Sequence, residues 1–336
     1  MLDFKSNGVK IVGLHGMGGI GKTTLAKAVF NKILPHFEFR SFISNVRDLI
    51  SRQEDGLISL QNKLMADLSI TNLNNLESTD ANASKIRKFV NEKNVLLVLD
   101  DVDEVSQLHA LGATISKWQS DGRSRIIVTT RNRGVLGDQH YVNYLYEVKE
   151  LYFEQALELF SYHALRRPKP TEEFMKLSKQ IVTLTGNLPL AVEVFGSFLC
   201  DKRKVSEWED ALKKLEGIRP RELQDVLKLS FDGLDIENQR IFLDIACLFV
   251  NMRMKREDMI DILKGCDFKA EIALRVLEEK SLIKFTGDDT LFMHDQLRDM
   301  GRQIVQNENF ADPGMRSRLW DRDKIISVLK NHKVPP

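Results

Sequence analysis

The sequence predicts an α/β domain, in which helices flank a parallel sheet, followed by a small helical domain and a winged-helix domain. Over residues 1–149, short apolar segments alternate with helical patterns, and a glycine-rich loop follows the first of these segments. Beyond residue 150, apolar residues recur at helical spacing. Strands separated by helices imply a parallel sheet with right-handed crossovers.

Five strands and three helices are expected in the first domain, residues 1–149. Val95–Leu99 is apolar throughout, as expected for a central strand that is covered on both faces. The other predicted strands are Lys10–Leu14, Ser41–Val46, Arg125–Thr129 and Tyr144–Val148. The predicted helices are Lys22–Ile33, Ile58–Leu68 and Ala83–Glu92.

The rest of the chain is expected to form a helical bundle, a winged helix and a linker. Residues 150–219 carry helical patterns at Phe153–Leu165, Phe174–Leu184, Leu190–Leu199 and Glu207–Leu215. Residues 220–305 carry further patterns at Leu223–Leu229, Asn238–Leu248, Glu257–Leu263, Ala270–Lys280 and Asp295–Val305. A hairpin of Ser281–Phe285 with Thr290–Met293 makes this part typical of a winged helix-turn-helix. The polar residues 306–336 read as a linker toward a further domain.

The composition is that of an ordinary folded protein. Of the 336 residues, 43% are hydrophobic and 29% are charged, which supports a sizeable core and argues against general disorder. The net charge of +1 does not favour nucleic acid or an anionic membrane as a partner. The best apolar run, Ile241–Val250, is too short to cross a membrane. Three cysteines without metal-ligand spacing, and no secretory signal, favour a cytoplasmic or nuclear location.

The loop Gly16-Met17-Gly18-Gly19-Ile20-Gly21-Lys22-Thr23 matches the P-loop pattern in full. Its glycines permit a tight turn that brings backbone amides up to phosphate oxygens, and the following helix points its positive end at the anion. Lys22 can reach the β- and γ-phosphates, Thr23 can ligate Mg²⁺, and Thr24 is expected near the α-phosphate. The alternative is a structural glycine turn, but a preceding strand and a following helix favour phosphate binding. We therefore predict a P-loop NTPase fold that binds ADP or ATP with Mg²⁺.

Two carboxylates follow the apolar strand Val95–Leu99. The carboxyl edge of a parallel sheet is where ligands bind, so Asp100 is the expected Mg²⁺ partner. Asp101 can orient or deprotonate an attacking water and is the candidate catalytic residue. A pair of aspartates that caps the next helix is the alternative, and the P-loop makes the nucleotide role the better interpretation.

The strand Ile126–Thr130 also ends in a polar residue, Arg131. A guanidinium is a charged fork that suits phosphate oxygens, so Arg131 can contact the γ-phosphate. A surface arginine is the alternative, and spacing alone does not choose between the two.

The chain resembles the NB-ARC module of plant intracellular immune receptors of the nucleotide-binding, leucine-rich-repeat class. The resemblance covers nearly the whole chain, from Val9 to Val305. Its motifs, in order, are Gly16–Thr24, Phe39–Asp48, Leu96–Asp103, Ser124–Arg131, Gly186–Ala191, Phe242–Phe249 and Met293-His294-Asp295. An ordered set of this kind is far more specific than any single motif.

Two details are similar to the subclass with an N-terminal Toll/interleukin-1-receptor domain. Asp103 stands where the coiled-coil subclass usually has tryptophan, and Phe242–Phe249 also looks like that subclass. The resemblance thus implies intramolecular partners, the N-terminal domain and the leucine-rich repeats, that are absent from this chain. Any enzymatic activity of the N-terminal domain does not belong to these residues.

The resemblance implies two further nucleotide contacts. Pro189 is expected to pack on the adenine, and His294 is expected to reach the ADP β-phosphate while Asp295 holds the geometry around it. Taken alone, Pro189 reads as an ordinary helix start, His294 as a strand-end histidine and Asp295 as a helix N-cap. Only the resemblance makes the nucleotide roles the better interpretation of these three residues.

The sequence departs from the family pattern in two places. Asn187 stands where a second glycine is usual, and asparagine tolerates the left-handed backbone that such a turn needs. Only 15 residues precede Gly16, whereas the family usually has an adenine-contacting segment further upstream. The resemblance therefore implies weaker adenine binding by this chain.

The expected function is a molecular switch that is off with ADP and on with ATP, with self-association on activation and at most slow ATP hydrolysis. Two alternatives remain open at this stage. An ordinary P-loop ATPase would need an acceptor pocket that the helical parts do not suggest. A DNA-binding regulator would use Asp267–Lys280, which carries four acidic and three basic residues and suits phosphate poorly.

Overall fold

The computed structural model describes residues 7–51, 55–70, 78–111, 123–137, 142–216, 223–252 and 254–330. These residues fall into two compact units, Met1–Lys149 and Glu150–Pro336. Within the described parts, no helix combines the length and the apolar character that crossing a bilayer requires.

A five-stranded parallel sheet forms the centre of the first unit. Its strands are β1 (Lys10–His15), β2 (Phe39–Ile43), β3 (Val95–Leu99), β4 (Arg125–Thr130) and β5 (Tyr144–Glu147), in the spatial order β2-β3-β4-β1-β5. Its helices are α1 (Lys22–Ile33), α2 (Val46–Ser51), α3 (Gly56–Asp67), α4 (Thr79–Glu92) and α5 (Val105–Ala110). The parallel α/β prediction is confirmed.

The burial of each strand follows its position in the sheet. Every residue of β3 and β4 is buried, because both strands are interior and helices cover both faces. β5 lies at the edge and is mostly exposed. Since β4 lies between β1 and β3, the loop after β1 and the carboxylates after β3 both open onto the carboxyl edge of the sheet, on either side of β4.

The strand expected at Ser41–Val46 lies earlier, at Phe39–Ile43. Its register with β3 runs from Phe39 opposite Val95 to Ile43 opposite Leu99. The chain then turns through Asn45, which has a left-handed backbone (φ 51°), and Val46 begins α2. Apolar alternation continues past Ile43, so the pattern did not reveal where the strand ends.

Four helices form the first part of the second unit. They are α6 (Phe153–Leu165), α7 (Glu172–Leu184), α8 (Pro189–Leu199) and α9 (Val205–Glu216). Trp208 is fully buried, with its ring 5.8 Å from that of Phe160 and 4.6 Å from that of Phe174. The indole thus holds α6, α7 and α9 together.

The remaining elements include the winged helix. They are α10 (Leu223–Asp232), α11 (Ile236–Cys247), α12 (Arg256–Gly265), α13 (Ala270–Glu279), β6 (Lys284–Phe285), β7 (Leu291–Phe292), α14 (Asp295–Glu308) and α15 (Arg322–Lys330). The hairpin is shorter than the sequence suggested, with two residues in each strand.

One face of α8 is joined to the end of α13 and the start of β6 by three polar contacts. The pairs are Lys284 with Glu193 at 2.6 Å, Ser281 with Ser197 at 2.8 Å, and Lys280 with Asp201 at 3.2 Å. The residues on α8 and just beyond it are four apart, which places them on one side of the helix. Ser281 has a left-handed backbone (φ 56°), a strained state for serine that this contact helps to hold.

Part of the stretch read as a linker, residues 306–336, packs on the winged helix. Arg318 binds Asp244 of α11 at 2.5 Å and the Arg240 carbonyl at 3.0 Å. Trp320 lies under the guanidinium of Arg302, which is 5.5 Å from the ring centre. The chain continues into α15, which ends at Lys330, and a role of these residues as a linker stays a prediction.

Candidate nucleotide-binding site

The loop between β1 and α1 has the backbone that a phosphate cradle requires. Gly16, Gly19 and Gly21 have positive φ values of 150°, 77° and 95°, which side chains rarely permit. A Cβ at Gly16 would lie 2.9 Å from the Val148 carbonyl oxygen, so the loop is also too close to the chain after β5 for a larger residue. Gly21 is the N-cap of α1, whose first turn carries no acidic residue to compete with an anion.

Lys22 is buried at the start of α1 and curls back over the loop. Its ammonium donates to the carbonyl oxygens of Gly16 and Met17, each at 2.8 Å. Burial, followed by the charge of Arg131, lowers the pKa of Lys22 to about 8, while Asp101 and Asp100 oppose the shift. The Lys22 ammonium is therefore within electrostatic reach of Arg131, Asp101 and Asp100.

Thr23 and Asp100 meet across the sheet edge. Thr23 Oγ1 donates to Asp100 Oδ1 at 2.7 Å, and Thr129 Oγ1 donates to the same oxygen at 2.7 Å. Asp100 is almost fully buried, and burial raises the pKa of its carboxyl, while the two hydroxyl donors oppose that shift. The prediction singled out Thr23 and Asp100 but gave no role to Thr129.

A hydroxyl and a carboxylate oxygen so close together fit Mg²⁺, which prefers oxygen ligands and takes few of them from protein. Within the described residues, no group of three or more His, Cys, Asp or Glu side chains could hold a metal ion. Mg²⁺ takes one or two carboxylates from protein and keeps several waters, so Thr23 and Asp100 could hold it together with water and phosphate oxygens.

Asp101 lies between two arginines. Arg131 Nε is 3.3 Å from Oδ1, and Arg47 Nε is 3.4 Å from Oδ2. Asp101 has a left-handed backbone (φ 57°), and its N–H donates to Thr129 Oγ1 at 2.9 Å. The sequence predicts Arg131 near the phosphates but gives no sign of Arg47. The contact between Arg47 and Asp101 depends on how α2 docks against the end of β3. A role for Asp101 in water activation stays a prediction.

The other loop residues lie where the motif places them. Ile20 is buried, whereas Thr24 is exposed on α1. Gly18 precedes Gly19 in the turn between β1 and α1. Within the first unit, contacts join Lys22 to the loop carbonyls, Thr23 to Asp100 and Arg131 to Asp101, while the nucleotide roles of Gly18, Ile20 and Thr24 stay predictions.

Pro189 and His294 belong to the second unit. Pro189 begins α8 at its first turn, after Gly186 and Asn187, which both have left-handed backbones (φ 62° and 56°). Asn187 therefore takes the conformation for which a glycine is usual, as the sequence predicted.

His294 is the N-cap of α14, and its Nδ1 accepts the N–H of Gln296 at 3.2 Å. Asp295, which the sequence offered as an alternative N-cap, is instead the first residue of the helix. The nucleotide contacts of Pro189 and His294 stay predictions.

Two family profiles match the chain. The NB-ARC domain matches residues 2–169, and a winged-helix domain described as that of a Roq1-like disease resistance protein matches residues 235–309. The second match and the parallel sheet confirm the predicted fold class.

Similar proteins are found among plant disease resistance proteins. The chain is 41% identical to disease resistance protein RUN1 of Vitis rotundifolia over 99% of its length and 24% of that protein. It is 36% identical to TMV resistance protein N of Nicotiana glutinosa, over 99% of the chain and 28% of that protein. The chain thus spans about a quarter of the length of these relatives.

Distant likeness to solved structures also exists. A Walker-type ATPase of Pyrococcus abyssi aligns with a TM-score of 0.43 and 16% identity, over 87% of this chain and 91% of that chain. Cdc6p of Pyrobaculum aerophilum aligns with a TM-score of 0.43 and 14% identity, over 91% and 90% of the two chains.

Proposed function

The chain belongs to the NB-ARC family, and we propose that it is the ADP/ATP-binding switch of a plant immune receptor, off with ADP and on with ATP. The observation that carries the proposal is the arrangement at the sheet edge. The Lys22 ammonium lies over the positive-φ glycine loop, beside the Thr23–Asp100 pair. Family and fold imply nucleotide binding, and the switch is the further step.

The P-loop residues are proposed to hold the phosphates. Gly16, Gly18, Gly19, Ile20 and Gly21 offer backbone N–H groups in a tight turn, which suits a β-phosphate at the start of α1. The Lys22 ammonium would exchange its carbonyl partners for phosphate oxygens, and Thr24 would support the α-phosphate. Thr23 and Asp100 would hold Mg²⁺, whose positive charge offsets that of the phosphates.

Three residues outside the P-loop are proposed to contact ADP and ATP differently. Pro189 and His294 belong to the second unit, and Arg131 belongs to the first. As the resemblance implies, Pro189 would pack on the adenine and His294 would donate to the β-phosphate in the ADP state. Arg131 would bind the γ-phosphate in the ATP state. Different contacts with the two nucleotides are what shift an equilibrium between two states.

The energetics indicate that these contacts do not act alone. A shift from mostly off to mostly on requires about 5.5 kcal/mol of differential binding. One charged hydrogen bond, such as that of His294, contributes roughly 1.5–3 kcal/mol. Self-association and the domains outside this chain are therefore proposed to supply the remainder.

Hydrolysis of ATP by this chain is proposed to be slow. Asp100 and Asp101 can position metal and water, but Asp101 already faces two guanidinium groups. An arginine supplied by another chain can raise such a rate by several orders of magnitude, and we assign none here. A slow reaction suits a switch that must persist in its ATP state.

The relatives support a proposal for the setting of the switch. Their names describe disease resistance proteins, and they are about four times as long as the match. We propose that the chain acts inside a cytoplasmic receptor with a Toll/interleukin-1-receptor domain before it and leucine-rich repeats after it.

A role in DNA binding is less well supported. Within α12 and α13 of the winged helix, Lys264 pairs with Glu271 at 2.7 Å, and Lys280, next to α13, pairs with Asp201. These ion pairs neutralise the lysines that would be needed to bind a nucleic-acid phosphate backbone.

The other alternative, an ordinary fast ATPase, predicts rapid ATP turnover by the isolated chain.

Fluorescent ADP titrated into the purified chain tests the proposal. We expect saturable, Mg²⁺-dependent binding that Lys22→Ala abolishes, because the ammonium is the cation inside the loop. Lys32→Ala is the matched control, since Lys32 is exposed near the other end of α1. Equal binding by Lys22→Ala and Lys32→Ala would refute the assignment of the P-loop.

A further inference from the structure

Arg47 is fixed to the edge of the proposed site by its main chain as well as by its side chain. Val46 N–H donates to the Asp100 carbonyl at 2.8 Å, and Arg47 N–H donates to the Asp101 carbonyl at 3.3 Å. The start of α2 is thereby attached to the residues that follow β3. From there, Arg47 Nε reaches the Asp101 carboxylate at 3.4 Å.

The Asp101 carboxylate is shared between two cations. Arg47 Nε faces Oδ2 and Arg131 Nε faces Oδ1. The Asp101 side chain is only 13% exposed, which makes the loss of its cations costly. Its main chain is held by a left-handed conformation and by the bond from its N–H to Thr129, which limits how far the carboxylate can follow an arginine that moves away.

Arg131 is the arginine beside the P-loop, because it directly follows β4, in which Thr130 lies opposite His15, the residue before Gly16. It is close enough to Lys22 for its charge to act on the P-loop ammonium, so it lies next to the proposed phosphate position. Arg47 follows β2, which β3 separates from β4, and its N–H donates to the Asp101 carbonyl. Its Nε is also 3.9 Å from Asp48. Of the two, Arg131 can turn to a γ-phosphate, while Arg47 stays on Asp101.

We propose that Arg47 is a positioning residue for nucleotide discrimination, which keeps Asp101 paired when Arg131 exchanges that carboxylate for the γ-phosphate. The inference rests on the proposed function and deepens it. Without Arg47, the exchange would leave a largely buried carboxylate without a cation, close to a triphosphate. With Arg47, an ion pair remains on Asp101 after Arg131 has turned to the phosphate.

Loss of Arg47 should therefore affect the affinities for ADP and for ATP differently. ADP does not draw Arg131 away from Asp101, so Arg47 matters little for ADP affinity. The triphosphate requires the exchange, and its affinity depends on Arg47. We expect Arg47→Gln to weaken binding of a non-hydrolysable ATP analogue about tenfold relative to ADP, which corresponds to about 1.4 kcal/mol.

The experiment measures dissociation constants of fluorescent ADP and of a fluorescent, non-hydrolysable ATP analogue for variants of the 336-residue chain. Arg40→Gln is the matched control, because Arg40 is an exposed arginine on β2 and is expected to change neither constant. Arg47→Lys keeps the cation and should restore most of the discrimination. In an Arg131→Gln background, Arg47→Gln should have no further effect on the ratio of the two constants.

Each other outcome counts against the inference. Equal losses for both nucleotides in Arg47→Gln, or effects of Arg47→Gln and Arg131→Gln that simply add, would show that Arg47 only holds α2 in place. Arg47→Gln behaving like Arg40→Gln, while the unmodified chain binds both nucleotides, would remove Arg47 and leave the proposed function intact. Failure of the unmodified chain to bind either nucleotide would remove both.

Discussion

Alkaline pH should weaken nucleotide binding through the P-loop lysine. Burial, assisted by the charge of Arg131, lowers the pKa of Lys22 to about 8 in the nucleotide-free chain. Phosphate oxygens beside the ammonium favour its charged form and raise that pKa on binding. Since the bound state holds the proton more tightly, binding takes up a proton wherever free Lys22 has lost it.

The sign and the size of the effect follow from this difference. Below pH 8, free and bound Lys22 are both mostly protonated, and the affinity for ADP is nearly constant. Above pH 8, affinity falls as pH rises, until the pKa of the bound state is reached. One unit above the pKa, roughly one Lys22 in eleven carries its proton, so affinity is lowered about tenfold, or about 1.4 kcal/mol.

Titrations of fluorescent ADP at fixed Mg²⁺ and ionic strength, from neutral pH to about one and a half units above the pKa of Lys22, provide the assay. The phosphates of ADP are already ionised over this range, since their last pKa is about 6. Two variants test the cause. Arg131→Gln removes a charge that lowers the pKa of Lys22 and should move the fall to higher pH; Asp101→Asn removes one that raises it and should move the fall to lower pH. A flat profile, or shifts of the opposite sign, would show that protonation of Lys22 does not control nucleotide affinity.

Two further predictions concern the second unit. Ser281→Ala should lower the free energy of unfolding by about 1 kcal/mol, because it loses the bond to Ser197 and keeps the left-handed strain. Ser281→Gly should be nearly neutral, because relief of roughly 1 kcal/mol of strain offsets that loss; urea unfolding of both variants checks the order, and a more stable alanine variant would contradict it. Asp295→Val, at the first residue of α14 beside His294, should raise the ratio of bound ATP to bound ADP, as nucleotide extraction would show; an unchanged ratio would count against a gate at His294.

The parts of the site that were predictable are those encoded in consecutive residues. Glycines at positions 16, 19 and 21 meet a local requirement for positive φ. The apolar run Val95–Leu99 followed by Asp100 predicts a buried strand with a carboxylate at its end. Strand order then brings Thr23 and Asp100 within hydrogen-bond distance. Local pattern and parallel topology together were sufficient for the core of the site.

The parts that were missed depend on packing between distant segments. Arg47 reaches Asp101 only because α2 docks on the end of β3, and Phe39–Ile43 was itself misplaced by the alternation that continues beyond it. Ser281 looks unsuited to its left-handed position until its contact with Ser197 on α8 is known. The polar tail gave no sign that Arg318 would pair with Asp244. Such contacts carry no periodic signal in the sequence.

The proposed switch requires that the loop closed by Lys22 binds an adenine nucleotide. The decisive experiment is chromatography with mass spectrometry of the nucleotide released when the purified chain is denatured. We expect close to one adenine nucleotide per chain, mainly ADP, and almost none from Lys22→Ala. A chain that releases no nucleotide and takes up none when ADP and Mg²⁺ are supplied would contradict the account.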